Sequence, residues 1–78
     1  MTIVEAVATR LEEIMKEKDL TQYRVFKLSG VAQSTLSEIR HRHSKSINLV
    51  SLYEILDGLD MEFVDFFASP LFKRENLE

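Results

Sequence analysis

The chain of 78 residues has no cysteine, one proline and two glycines. Without disulfides, so small a domain depends on close packing or on a partner, and its composition suits a reducing compartment such as the cytoplasm. Few prolines and glycines leave few positions for β-turns, which favours helices. The longest apolar run is three residues and the first ten residues lack a basic region, so we expect neither a membrane span nor a signal peptide.

Apolar residues recur at helical spacing along the chain. In the first helix, Thr2 can act as N-cap and Glu12 can pair with Lys16 on the solvent face. The spacing predicts five helices, at about residues 3–18, 22–29, 33–40, 48–59 and 63–69. We therefore predict an all-α fold, a compact bundle of five helices in a single domain, with its core in residues 3–69 and a short C-terminal tail in residues 70–78.

Two of the predicted helices, at residues 22–29 and 33–40, are short and are separated by a turn that contains Gly30. Glycine can end the first helix with positive φ without strain, and Val31 begins the turn as a buried residue. This is the helix-turn-helix pattern, in which the first residues of the second helix can enter the major groove of DNA. Gln33 can bond N6 and N7 of adenine there. Its plain alternative is an exposed residue at a helix start.

The segment from Leu20 to Ser37 resembles the phage repressor and Cro family, the lambda-repressor-like or XRE-type DNA-binding domains. The resemblance extends over roughly residues 8–67 and implies a five-helix bundle that acts as a transcriptional regulator. Carried over by position, it implies that Gln22 contacts a phosphate. It also implies that the second helix contacts base edges or backbone through Gln33, Ser34, Ser37 and Glu38.

Several positions depart from the pattern of that family. Phe26 stands where the family usually has alanine, which predicts some repacking between the two helices. Ala32 replaces the usual serine or threonine cap of the second helix, so we expect no side-chain cap there. Arg40 and Arg42 replace an acidic residue and a glycine after that helix, so the following loop is expected to differ.

Charge is distributed unevenly along the chain. The net charge is −3 and the pI is about 5.3, which taken alone argues against binding phosphate. Residues 24–45, however, carry five basic residues and one acidic residue, a net charge of +4, whereas residues 46–78 carry −5. We therefore expect phosphate contacts from this segment and from the helix start before it, through Gln22, Tyr23, Arg24, Thr35, Arg40, His41, Arg42, His43 and Lys45.

Three of these residues have plain alternatives. Tyr23 can equally pack against the bundle surface, and His41 and His43 can be solvated loop residues. Two histidines without a cysteine or an obvious carboxylate partner make an incomplete metal site. We therefore expect no metal, no cofactor and no small-molecule ligand.

Four of the five phenylalanines lie close together near the C-terminus. In one interpretation Phe63 and Phe67 complete the core, and Phe72 folds back over the first helix. In the other, Phe66, Leu71 and Phe72 form part of a two-fold interface between two copies. The amount of apolar surface favours the dimer.

These features predict a sequence-specific DNA-binding transcriptional regulator, a dimeric repressor that reads an inverted repeat through the helix starting at Gln33. The alternative is an antitoxin-type protein that binds DNA and also neutralises a protein partner such as a toxin. A purely structural helical module is a third interpretation. We do not expect an enzyme, because the sequence has no cysteine nucleophile, glycine-rich phosphate loop or complete metal-ligand set.

Overall fold

The structure, a computed structural model, describes residues 1–42 and 45–78. Within these two ranges every regular element is helical, which confirms the predicted all-α bundle of five helices. The α-helices are α1 (Ile3–Glu17), α2 (Gln22–Ser29), α3 (Gln33–Arg40), α4 (Leu49–Gly58) and α5 (Phe63–Phe67), and two 3₁₀ turns follow at Pro70–Phe72 and Arg74–Asn76. No helix in these ranges is long and apolar enough to cross a membrane.

Short polar side chains cap the starts of α1, α2 and α4. In α1 the Thr2 hydroxyl accepts a hydrogen bond from the Glu5 N–H at 3.1 Å, and the Glu5 carboxylate accepts one from the Thr2 N–H at 2.8 Å. Thr21 caps α2 and Asn48 caps α4, each through one side-chain hydrogen bond. The residue before α3 is Ala32, which makes no such bond. The predicted absence of a cap on α3 is therefore confirmed.

One apolar core joins all five helices. Its largest fully buried side chains come from every α-helix: Leu11, Ile14, Val25, Leu36, Ile55, Leu56 and Phe66. Phe66 is 0 % exposed, and its ring centroid lies 5.7 Å from that of Phe72. The prediction that Phe66 belongs to an interface between two copies is wrong, because the core of a single copy buries this side chain completely. Leu71 and Phe72 are half-buried, since the 3₁₀ turn that carries them folds back against α1.

Helices α2 and α4 approach each other so closely that their backbones touch at Gly58. A Cβ added to Gly58 would lie 2.7 Å from the Cα of Ser29 and 2.9 Å from the carbonyl carbon and oxygen of Leu28. A side chain does not fit at such distances, so this approach requires glycine. Gly30 ends α2 with a φ of +75°, the left-handed conformation that its position in the sequence predicted.

Candidate nucleic-acid interface

The outer face of α3 is polar, and its inner face is apolar. Leu36 and Ile39 point into the core, with 1 % and 3 % of their surface exposed. On the period of a helix, the opposite side carries the four residues predicted to contact bases: Gln33, Ser34, Ser37 and Glu38. Ser37 is half-buried and the other three are exposed. Side chains of these types can form hydrogen bonds with base edges when the N-terminal part of the helix lies in a major groove.

The turn between α2 and α3 is held by hydrogen bonds of Ser29. Its hydroxyl donates to the carbonyl oxygen of Val25 at 2.7 Å and accepts from the N–H of Val31 at 3.1 Å. Val25 and Val31 are themselves buried, with 0 % and 7 % of their surface exposed. The angle between the two helices is therefore fixed by packing and by the turn together, which keeps the outer face of α3 exposed.

A chain of hydrogen bonds connects both ends of α3 to the rest of the bundle. The Nε2 of Gln22 donates to the backbone oxygen of Gln33 at 3.3 Å, and its Oε1 accepts from Nη1 of Arg40 at 3.2 Å. Nε of Arg40 donates to Oε1 of Glu12 at 2.5 Å, and Nη2 donates to Oε2 at 3.4 Å. Gln22 and Arg40 were both predicted to contact phosphate, but the side chains of both form hydrogen bonds with other residues of the protein.

The pairing of Glu12 with Arg40 was not predicted from the sequence. Its predicted pairing with Lys16 assumed a solvated helix face, whereas the carboxylate binds Arg40 from a position 28 residues earlier in the chain. The available signal was the arginine at position 40, where the resembling family has an acidic residue. An arginine in that place could have pointed to a carboxylate partner elsewhere in the chain.

The other residues predicted to contact phosphate differ in their exposure to solvent. Arg24 and Lys45 are exposed, and Thr35 is half-buried. Tyr23 packs against the bundle surface, with its ring centroid 6.0 Å from that of the half-buried Phe26, and is still 56 % exposed.

Arg42 is exposed but bent back towards the protein. Its Nη1 donates to the carbonyl oxygen of Arg40 at 2.8 Å, and its Nη2 donates to Oγ1 of Thr9 at 3.2 Å. The residue has a φ of +60°, the left-handed conformation that is uncommon for residues other than glycine. Bonds this exposed are exchanged with water at little cost, so Arg42 can still reach a phosphate.

His41 is exposed beside the last turn of α3. Its Nδ1 lies 2.9 Å from the carbonyl oxygen of Ser37 and 3.1 Å from the hydroxyl oxygen of the same residue. His43 lies outside the described residues. Within the described ranges, no three His, Cys, Asp or Glu side chains come together as metal ligands do.

A short helix pair, a glycine turn and an exposed polar face on the second helix together define a helix-turn-helix DNA-binding domain. A family model described as the Cro/C1-type HTH DNA-binding domain matches residues 10–69, so the chain belongs to that family. The predicted resemblance is confirmed. Comparison with curated proteins and with solved structures returned no match.

Proposed function

We propose that the protein is a transcriptional repressor that binds an inverted repeat as a homodimer, with α3 of each copy in a major groove. The observation that carries this proposal is the exposed polar face of α3, held outward by a rigid turn. Gln33 reads adenine through its amide, and Glu38 accepts a hydrogen bond from N4 of cytosine. Ser34 and Ser37 contact neighbouring base edges or phosphates.

Positively charged and polar groups around α3 contact the DNA backbone in this proposal. Tyr23 and Arg24 lie at the start of α2, Thr35 lies on the flank of α3, and His41 and Arg42 follow its end. Each phosphate that is neutralised contributes about −0.9 to the slope of log affinity against log salt. One copy therefore binds weakly, and a second copy supplies both affinity and a second half-site.

A large apolar surface lies on α4 and α5 and is available for the second copy. Leu49, Val50, Tyr53 and Val64 are 67 %, 64 %, 55 % and 78 % exposed. The exposed Ile3 lines a groove of about 330 Å³ together with Leu49. We call these five residues the α4–α5 apolar face. Exposed apolar surface on this scale is typical of a protein interface. We propose this face in place of the predicted one, because Phe66 is buried in the core and Leu71 and Phe72 are half-buried.

The order of charges along α4 favours a second copy as the occupant. Lys45 precedes the apolar residues of α4, whereas Glu54 and Asp57 follow them. If two α4 helices pack antiparallel about a two-fold axis, Val50 of one copy meets Tyr53 of the other. Lys45 then lies near the carboxylates of the second copy, so the surface is complementary to itself.

The position of α4 also suits the reading of two half-sites. Its first turn borders α3, because Asn48 and Ser51 line the same groove as Thr35 and Glu38. An interface through α4 therefore places one α3 helix on each side of a two-fold axis. Inverted repeats with half-sites about one helical turn apart require two such helices, with their centres about 34 Å apart.

Selection of bound DNA from a pool of random duplexes tests the proposal. We expect an inverted repeat with half-site centres roughly 10 base pairs apart. Gln33→Ala should then lose about 1–3 kcal/mol of binding at one position of each half-site and relax the base preference there. Selection that enriches no sequence at low salt would overturn the proposed function. An equal loss on all sequences would remove Gln33 from base recognition.

Sedimentation of the wild type and of Val50→Glu tests the dimer. Because Val50 is largely exposed, the glutamate should leave the fold intact but place a charge inside the interface, weakening dimerisation by about 100-fold or more. Lys73→Glu, which changes charge on the exposed tail, serves as the control. A Val50→Glu protein that dimerises normally contradicts this interface. A monomeric wild type that forms a stoichiometric complex with a basic protein would instead favour the antitoxin alternative.

A further inference from the structure

We propose that Arg40 positions α3, the helix that reads the bases in the proposed function, and does not bind DNA phosphate. Together with Glu12 and Gln22 it forms what we call the Glu12–Arg40–Gln22 link, which connects α1, the end of α3 and the start of α2. The inference rests on the proposed function for its DNA measurements, whereas its stability measurements stand alone.

The link holds α3 at both ends. Arg40 is the last residue of α3, and it donates two hydrogen bonds to Glu12 of α1 and a third to Gln22 of α2. Gln22 in turn donates to the backbone oxygen of Gln33, the first residue of α3. Only the planar fork of a guanidinium can serve a carboxylate and an amide at once in this way, and a lysine ammonium lacks that geometry.

The link also removes Arg40 from the charges available to DNA. Its guanidinium lies against the Glu12 carboxylate, and the two side chains are only 27 % and 40 % exposed. A phosphate contact would require Arg40 to leave Glu12 and Gln22 and would release the start of α3. The basic segment around α3 therefore presents Arg24, Lys27 and Arg42 to DNA without Arg40.

A short helix needs this kind of external support. An eight-residue helix is marginal in isolation, and α3 also lacks a side-chain cap at Ala32. Its direction depends on the buried side of the helix and on the bonds at its two ends. A tilt of α3 would move Gln33 relative to a base edge, which predicts that the link affects base discrimination as well as stability.

The decisive test is the sign of the effect of Glu12→Gln. If Arg40 binds phosphate and Glu12 merely competes for it, Glu12→Gln should tighten binding and steepen the salt slope by about 0.9. If Arg40 positions α3, the same substitution should weaken binding about tenfold, since the charged bond is replaced by a weaker one. Glu17→Gln, an equal charge change at an exposed site on the same helix, is the control. The probe is the duplex recovered by selection with the wild type, assayed at two salt concentrations.

Arg40→Lys separates charge from geometry. This variant keeps the positive charge, so a phosphate contact predicts nearly unchanged affinity and salt slope. The positioning role predicts that discrimination at the base read by Gln33 falls about tenfold while the salt slope stays the same. Tighter binding by Glu12→Gln together with intact discrimination by Arg40→Lys would overturn the proposal.

Thermal unfolding provides a measurement that does not involve DNA. Glu12→Gln and Arg40→Gln should each lower Tm by about 5 °C, and the double variant should lower it by much less than the sum. The exchanged pair, Glu12→Arg with Arg40→Glu, should recover part of the loss. Fully additive losses would contradict the link. If the wild type selects no DNA, the proposed function fails while this cycle still decides whether the link exists.

Discussion

The exposed faces of α3 and α4 differ in chemistry although both helices bury their other side in the same core. The outer face of α3 carries short polar side chains, whereas that of α4 begins with Leu49, Val50 and Tyr53. Polar side chains form hydrogen bonds with water and can exchange them for hydrogen bonds with a base edge at little cost in free energy. Exposed apolar side chains lower the free energy when they leave water and pack against a partner. This difference is the basis on which the proposed function places DNA on one face and a second copy on the other.

The largest effect is expected at Gly58, where α4, which carries most of the apolar face, packs against α2, the partner of α3 in the helix-turn-helix. Gly58→Ala places a Cβ against the backbone of Ser29 and Leu28, so α4 must move away from α2. Alanine gains about 1 kcal/mol of helix propensity, but the steric cost is larger, and we expect a net loss of about 2 kcal/mol and a fall in Tm of roughly 10 °C. Calorimetry measures this fall, and both DNA binding and dimerisation should weaken with it.

Gly30→Ala is the matched control for that experiment. A Cβ at Gly30 meets nothing within 4 Å, so its cost is only the left-handed conformation at φ +75°, about 1–2 kcal/mol. It lies between α2 and α3 and not between α2 and α4. A larger loss at Gly30 than at Gly58 would contradict the close approach of α2 and α4.

A smaller effect should separate the two faces by strengthening only α3. Ala32→Thr adds a hydroxyl that can accept from the first turn of α3 and should raise stability by about 1 kcal/mol, or Tm by roughly 4–8 °C. Ala32→Val has nearly the same shape without an acceptor, so it should give no such gain. Dimerisation should be unchanged in both. Equal stabilisation by threonine and valine would show that packing, and not capping, limits α3.

The sequence predicted local features of this molecule well and long-range polar contacts poorly. Helix positions and the inward direction of Leu36 follow from the spacing of apolar residues, which is a local property. The partnership of Arg40 with Glu12 spans 28 residues, and so could not be read from periodicity. Arg10 likewise donates to the carbonyl oxygen of Phe66 at 2.9 Å, 56 residues away.

The phenylalanines show the same limit in the core. Periodicity alone does not tell which of several adjacent aromatic residues a five-residue helix will bury. The fold buries Phe66 and leaves Val64 exposed, because α5 packs on the core through the side that carries Phe66. The most exposed apolar side chains lie instead on α4 and on the outer side of α5, where no interface was predicted from the sequence.

Reversing charges at the ends of α4 should test the interface more finely than Val50→Glu. Lys45→Asp or Asp57→Lys alone would place like charges opposite each other across the two-fold axis. Each exposed pair is worth about 0.2–1 kcal/mol and occurs twice, so we expect dimerisation to weaken by roughly five- to tenfold at low salt. The double variant should restore it. Sedimentation equilibrium at two salt concentrations measures both effects, and a double variant no better than either single one would exclude antiparallel α4 helices.

The smallest expected effect is a change of stability with pH. It arises at the start of α1, where Glu5 lies near Ile3 of the α4–α5 apolar face. The Thr2 backbone N–H, and with it the Thr2 hydroxyl, holds the pKa of the Glu5 carboxyl below its usual value. A carboxyl whose pKa is lowered by folding stabilises the protein above its unfolded pKa, and that contribution is lost as the pH falls through the folded value. The Tm difference between wild type and Glu5→Gln should therefore be constant near neutral pH and shrink in acid. A difference that persists unchanged at acid pH would mean that the capping box stabilises α1 through geometry alone, without the charge of Glu5.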